Sequence, residues 1–280
     1  MSESFASLLS AAAAHAPASP DSAVADAAAA ADVHAAAAAA AAAAERGAPP
    51  SPLPAGLLEE DGITPLRGNA LYTTRAYWEH RFSREESKDW LACWADLSPL
   101  LSPLLPRLDA ALLLVGSGNS RLPAELAAAG YRDVLATDYA EAVVSRMAAA
   151  APPGVRWATA DMRALPLPAA SADVYLDKAA MDALLADGGD AWPGQAPPQL
   201  LAATALVMAE AWRVLRPGGL YLQVSFAPRH FRAQYLLQRD WAGAALAVKS
   251  VPVGLGYYLF ILRKPGEGGA APAAAATAEP

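Results

Sequence analysis

The chain has 280 residues and a formal charge of −7, yet residues 1–67 carry eight acids against two Arg, residues 266–280 carry two Glu, and residues 68–265 carry 18 acids and 19 bases. No Lys/Arg block looks like a phosphate-tracking surface, which argues against nucleic acid. The single cysteine, Cys93, excludes a disulfide framework within the chain and a cysteine-built metal site, and the four His have no metal-binding spacing.

Residues 1–67 form an Ala/Pro-rich leader, with Ala at 25 of the first 50 positions and an unbroken run from Ala35 to Ala44. Ala buries little surface, so such a stretch does not offset its ordering entropy by packing; disorder or an isolated helix is expected. Asp26, Asp32 and His34 interrupt it, which makes it a poor membrane span. Glu3, Asp21, Asp26 and Asp32 precede its first Arg, Arg46, whereas an organelle transit peptide is Arg-rich and acid-poor. A cytoplasmic monomer with no membrane association is therefore expected, with an organelle as the lesser alternative. Pro49 to Gly56 reads as a stiff linker. The folded domain is expected over 68–265, followed by a second low-complexity tail, 266–280.

From Leu71, aromatic and Leu residues recur at near-helical spacing: Tyr77, Trp78, Phe82, then Trp90, Leu91, Trp94, Leu97 and Leu101. They predict two short helices covering a sheet. Ala110 to Val115 is a continuous apolar run ending at Gly116-Ser117-Gly118, as a buried central strand does. Asn119 and Ser120 are placed to cap the next helix, with Pro123 in its first turn and Gly130 beyond its end. A second strand, Val134 to Thr137, ends at Asp138, and a helix follows from about Ala140 to Ala149. A third strand, Val155 to Ala160, ends at Asp161; a fourth, Val174 to Leu176, ends at Asp177. A long amphipathic helix spans about Leu200 to Leu215, stopped by Pro217-Gly218-Gly219, and a fifth strand runs from Leu220 to Phe226. This alternation predicts a doubly wound, mostly parallel α/β sheet. Ala245 to Val251 and Tyr257 to Arg263, joined by a short turn, add an antiparallel hairpin.

Ligands of such sheets sit beyond the carboxyl ends of the strands. Gly116 and Gly118 let the backbone approach a ligand, and Asp138, 22 positions after Gly116, suits the hydroxyls of a ribose. Asp161 and Met162 place a carboxylate and a backbone N–H beside an adenine edge. Asp177-Lys178 gives the fourth strand a polar tip. Each feature alone has an ordinary structural explanation as a turn, a cap or a surface pair. Together they describe one nucleoside pocket. An NAD enzyme accounts for the first two features; S-adenosylmethionine (SAM) methyltransferases account for all of them and for the hairpin.

Specific segments narrow this further. They are Tyr77-Trp78-Glu79-His80-Arg81-Phe82 with Asp89-Trp90, Val115-Gly116-Ser117-Gly118-Asn119-Ser120, Gly130-Tyr131 through Asp138-Tyr139, and Asp161-Met162. Asp177-Lys178-Ala179-Ala180-Met181-Asp182, Arg213 through Gly219, and Ala227-Pro228-Arg229-His230-Phe231-Arg232 follow. The set resembles the seven-stranded lysine methyltransferases of elongation factor 1-alpha, with citrate synthase lysine methyltransferase a near relative, over almost all of 71–264.

The resemblance implies a Rossmann-like methyltransferase with a seven-stranded sheet and an N-terminal helical cap. It implies SAM as cofactor and a protein lysine, on elongation factor 1-alpha or another abundant protein, as acceptor. By it, Trp78, Phe82 and Trp90 close over SAM, and Gly116 lines its methionine end within the loop Gly116, Ser117, Gly118 and Asn119. Asp138 and Tyr139 hold the ribose, Asp161 and Met162 frame the adenine, and Lys178 stands at the pocket wall. Asp177 and Asp182 are the candidates for positioning the acceptor. The chain departs from the family pattern at Ser117, usually Cys, and at Ala179-Ala180, usually Gly-Thr. A small-molecule methyltransferase and a SAM-binding partner without activity are the alternative readings.

Overall fold

The computed structural model describes residues 53, 56–188, 191–239, 241, 246–254 and 256–266. The Ala-rich run, most of the Pro-rich linker, Ala245 and the tail from residue 267 lie outside the described residues.

The sheet has seven strands: β1 Ala111–Val115, β2 Asp133–Asp138, β3 Val155–Thr159, β4 Ala172–Lys178, β5 Leu215–Ser225, β6 Ala247–Val251 and β7 Tyr257–Arg263. Their order is β3-β2-β1-β4-β5-β7-β6. β1 to β5 pair in parallel, while β7 runs antiparallel to both β5 and β6. Alternate side chains of β1 enter different cores, Leu113 and Val115 one, Leu112 and Leu114 the other. A strand buried on both faces needs apolar residues at every position, which is why β1 reads as an uninterrupted run.

The helices are α1 Arg75–Phe82, α2 Trp94–Leu101, α3 Leu122–Ala128, α4 Glu141–Ala149, α5 Ala180–Leu184, α6 Pro198–Val214 and α7 Arg229–Leu236. Leu97 and Leu101 of α2 and Leu122 and Leu126 of α3 pack with Leu112 and Leu114; Val207 and Met208 of α6 and Tyr235 of α7 pack with Leu113. The doubly wound arrangement and the terminal hairpin expected from the sequence are both present.

Three expectations are corrected. Pro217-Gly218-Gly219 does not separate α6 from the fifth strand. β5 begins at Leu215, opposite Ala172, and the register shifts between Ala172 and Val174, so the Pro-Gly-Gly segment lies within the strand. Asn119 does not cap α3. Its amide donates to the Glu85 carbonyl (3.1 Å) and carboxylate (3.2 Å), and it is the Ser120 hydroxyl that accepts the Leu122 N–H (3.1 Å). The folded unit also starts before Gly68. Leu58 and Pro65 form a β-bridge, the Tyr77 hydroxyl donates to the Ile63 carbonyl (2.8 Å), and His80 Nε2 bonds the Gly62 carbonyl (2.9 Å).

The cap is fastened to the body through α4. The Glu79 carboxylate accepts the N–H groups of Glu141 (2.9 Å) and Ala142 (3.3 Å), an acid set on a helix N-terminus. Arg146 reaches back from α4 to the carbonyls of Phe82 and Glu85. These contacts hold the aromatic face of α1 over the carboxyl ends of β1 and β2.

Candidate active site

β1 delivers the chain into a loop whose two glycines have φ of +54° (Gly116) and +51° (Gly118). Side chains are excluded there on two counts, since the backbone is left-handed and space is lacking. A Cβ on Gly116 would lie 2.4 Å from the Ala180 Cβ, and one on Gly118 would lie 2.8 Å from Cζ of Phe82. The loop is tied down by the Ser117 N–H, which donates to the Thr137 carbonyl (2.9 Å).

At the tip of β2, buried Asp138 accepts the N–H groups of Gly118 (2.8 Å) and Ala140 (2.9 Å). Burial pushes its carboxyl up to about 6, against the pull of these backbone bonds. Burial also pushes the neighbouring Tyr139 phenol well above its usual range, with the Asp138 charge adding to it. β3 ends at Thr159, so Asp161 lies just past the strand, in a short bridge with Ala164. Its carboxylate accepts from the Arg163 N–H (2.8 Å) and pairs with the Arg163 guanidinium (2.7 Å).

β4 ends in two residues with different tasks. The Lys178 ammonium donates to the Trp90 carbonyl (2.9 Å) and lies 3.5 Å from the Asp89 carboxylate. Burial draws the ammonium down from its ordinary range, and Asp89 opposes this. Asp89 in turn accepts the Ser120 hydroxyl (2.5 Å), which ties the segment after α1 to the glycine loop. Asp177 is fully buried and is not part of the cavity wall. It accepts the N–H groups of Ala180 (2.8 Å) and Met181 (3.3 Å) and the Gln223 amide (2.8 Å), so its geometry is that of an anchor for α5 rather than of a group meeting an acceptor. Burial pushes its carboxyl up to about 6, with the Gln223 bond opposing.

All the other expected site residues line one cavity of about 790 Å³. Its roof is aromatic. The Trp78 ring lies 5.4 Å from Phe82 and 6.1 Å from Trp90, and the Arg81 guanidinium sits 4.9 Å from the centre of the Trp90 ring. Asp182 lines the far end, in a buried pair with Arg232 and a 2.6 Å bond from the Ser225 hydroxyl. The sequence assigned no site role to Tyr72, Arg163, Phe226 or Arg232, the last of them only a member of the segment Ala227 to Arg232, and all four also line the cavity. Arg232 and Phe226 carry no spacing signal because they come from the far side of β5, and only the fold brings them to Asp182.

A glycine loop, acids at successive strand tips and an aromatic roof on one cavity define a SAM-dependent methyltransferase, and residues 113–222 match the family described as a methyltransferase domain. EEF1A lysine methyltransferase 4 of Bos taurus is 33% identical over 201 residues, covering 70% of this chain and 77% of that protein. The eEF1A lysine and N-terminal methyltransferase of Homo sapiens is 33% identical over 159 residues, 55% of this chain and 22% of that protein. Among solved structures, 1,6-didemethyltoxoflavin-N1-methyltransferase of Burkholderia thailandensis is 20% identical, with a TM-score of 0.48, covering 78% of this chain and all of that one. The chain belongs to the eEF1A lysine methyltransferase family. Among the described residues no helix is long and apolar enough to cross a membrane.

Proposed function

We propose that this enzyme methylates a lysine side chain of a protein, and that the protein is elongation factor 1-alpha. The observation that carries this reading is the continuity of the cavity. It runs from the acidic tips of β2 and β3, past the glycine loop, to an end walled by α5, Phe226 and Arg232. One end suits an adenosyl group and the other a second reactant. The relatives' names supply the identity of that reactant.

The chain's own donors and acceptors fit SAM. A carboxylate offers about four lone-pair positions. The Gly118 and Ala140 N–H groups take two on Asp138 and the Tyr139 N–H also bears on it, which leaves room for a ribose hydroxyl. Two buried polar atoms of the cavity wall, Trp90 Nε1 and Asn119 Oδ1, have no partner among the described residues. One is a donor and the other an acceptor, which matches the carboxylate and amino groups of a methionyl end. In this assignment Met162 packs the adenine beside Asp161, and Trp78, Phe82 and Trp90 exclude water from above.

SAM, when bound, supplies a methyl group already activated on a sulfonium. The protein's remaining work is alignment and exclusion of water, the contribution of proximity and orientation. A lysine ammonium, with an ordinary pKa of about 10.4, must shed a proton before it is nucleophilic. Desolvation at the buried end of the cavity favours the neutral amine. Asp182, on the wall at that end, orients it.

The test is incubation with labelled SAM and purified elongation factor 1-alpha, followed by mass spectrometry of its lysines. A methylated lysine dependent on this enzyme is expected. Label appearing only among small molecules when a cell extract is offered would replace the reading with a small-molecule methyltransferase.

A further inference from the structure

The charged groups along the cavity are mostly accounted for by partners. Asp161 pairs with Arg163 (2.7 Å), Lys178 stands by Asp89 (3.5 Å), and Asp138 holds backbone N–H groups. At the acceptor end the pair is Asp182 and Arg232. Both side chains are almost completely buried, at 5% and 3% exposure. Arg232 Nη2 reaches Asp182 and the Ser225 hydroxyl (3.2 Å), Ser225 also donates to Asp182 (2.6 Å), and the Phe226 N–H completes the group (3.3 Å). Asp177 from β4 and Tyr221 from β5 lie within the field of this pair, while Arg229 and His230 of α7 are exposed.

A buried ion pair is a poor device for stability, since desolvation offsets its attraction. Where one is retained for structure, its donors are normally satisfied. Here the Nε and Nη1 atoms of Arg232 are buried with no hydrogen-bond partner among the described residues. The guanidinium is therefore held for its charge more than for its hydrogen bonds. That charge sits on Asp182, the one carboxylate among the described residues lining the end of the cavity where the acceptor enters.

We infer that Arg232 is a positioning residue that cancels the charge of Asp182, so that the acceptor end of the cavity receives an uncharged amine. This rests on the proposed transfer to lysine. The amine's lone pair forms the N–C bond while the electron pair of the S–C bond returns to sulfur, so the nitrogen must arrive without its extra proton, and the proton left on the product goes to water. A bare carboxylate beside it would hold the ammonium form and raise its pKa. Arg232 removes that penalty and fixes Asp182 as an acceptor of an N–H from the neutral amine.

The test compares the full-length enzyme with Arg232→Gln, Arg232→Lys and the double variant Asp182→Asn/Arg232→Gln. The first readout needs no acceptor: calorimetric affinities for SAM and for S-adenosylhomocysteine, which differ by one methyl and one positive charge, at mildly alkaline pH. Arg232→Gln is expected to shift the preference toward SAM by roughly tenfold, the size of an uncancelled charge acting across a partly dry cavity. The double variant and Arg232→Lys return it to the wild-type ratio. The second readout is kcat and KM on elongation factor 1-alpha across the neutral and alkaline range. Arg232→Gln lowers kcat at neutral pH and moves its rising limb to higher pH without raising KM, and the double variant reverses the move. Equal loss of both ligands in Arg232→Gln with an unchanged ratio, or a double variant no better than the single one, overturns the inference and leaves a structural ion pair. A wild-type enzyme that binds SAM but labels no lysine of elongation factor 1-alpha refutes the substrate assignment instead, and the SAM to S-adenosylhomocysteine ratio still decides the role of Arg232.

Discussion

Asp138 carries a conflict between burial, which raises its carboxyl to about 6, and the N–H groups of Ala140 and Gly118, which favour its charged form. In the ribose-binding role proposed for it, it must be ionised, so SAM and a proton would compete for it. Affinity for SAM is expected to be constant above about pH 7 and to fall by up to about tenfold per unit below pH 6. Asp138→Asn flattens this dependence and weakens binding at neutral pH by about 1.5–3 kcal/mol, the range for a hydrogen bond to a charged group. Calorimetric titration at several pH values measures both; an affinity unchanged on the acid side would remove Asp138 from the ribose. Ala179 offers a second test. It begins α5 with φ of +68°, where the family pattern has Gly. The left-handed conformation costs an L-residue about 1–2 kcal/mol, and Gly returns about 0.4–1 kcal/mol of that as unfolded-chain entropy. Ala179→Gly should stabilise the enzyme by about 0.5–1 kcal/mol in urea unfolding. The adjoining Ala180 shows why the reverse change fails at Gly116, where a methyl group would meet Ala180 at 2.4 Å. Asp138 was legible in the sequence because a lone acid ends an apolar strand. The placements of Asp177 and Arg232 were not, because both are set by partners 40 or more positions away, Gln223 and Asp182.

The strands were the most readable elements, for a physical reason. A strand covered on both faces needs apolar residues throughout, and the turn that ends it needs Gly or Asp, so β1, β2 and β4 declare themselves. The start of β5 did not. Pro217-Gly218-Gly219 is a valid helix stop, yet strand pairing from Leu215 to Ala172 begins ahead of it and absorbs the segment through a register shift. α5 has only five residues and its first N–H donates to the Asp177 carboxylate, so it offers no periodicity to read. The cap helix α1 was expected from its aromatics, but its attachment was not. Its grip on the body depends on Glu79 reaching the first turn of α4 and on Arg146 reaching back. Glu79→Ala is expected to remove about 1 kcal/mol of this docking, the usual value of an acid at a helix N-terminus. Amide exchange should quicken in α1 while α6 stays unchanged, and SAM should bind a few-fold more weakly because Trp78 and Phe82 ride on α1. Equal quickening in both helices would mean that the cap is not a separable unit.

The division of charge described the molecule as a near-neutral folded part, 68–265, between acidic ends. That division left residues 57–66 outside the folded part although they contact the cap, because composition registers buried side chains and not backbone carbonyls. Residues 57–66 contribute mainly carbonyls. Ile63 accepts the Tyr77 hydroxyl and Gly62 meets His80, while Pro65 is the buried member of the segment. Tyr77 is wholly buried and its hydroxyl also accepts from Arg81 (2.7 Å), whose guanidinium lies over Trp90 in the cavity roof. The segment thus bears on the cofactor end of the cavity through Tyr77, Arg81 and Trp90. A chain beginning at Gly68 is expected to be less stable than one beginning at Gly56 by about 1–3 kcal/mol, from one buried hydroxyl that loses its carbonyl acceptor and one lost His contact. For a domain of this size that is a fall in Tm of about 2–4 °C per kcal/mol. Because the loss is transmitted through Arg81 to Trp90, it should be accompanied by weaker SAM binding, read by calorimetry on the two fragments side by side. Equal Tm and equal affinity would return the boundary to Gly68 and make the contacts of Ile63 and Gly62 incidental to the cap.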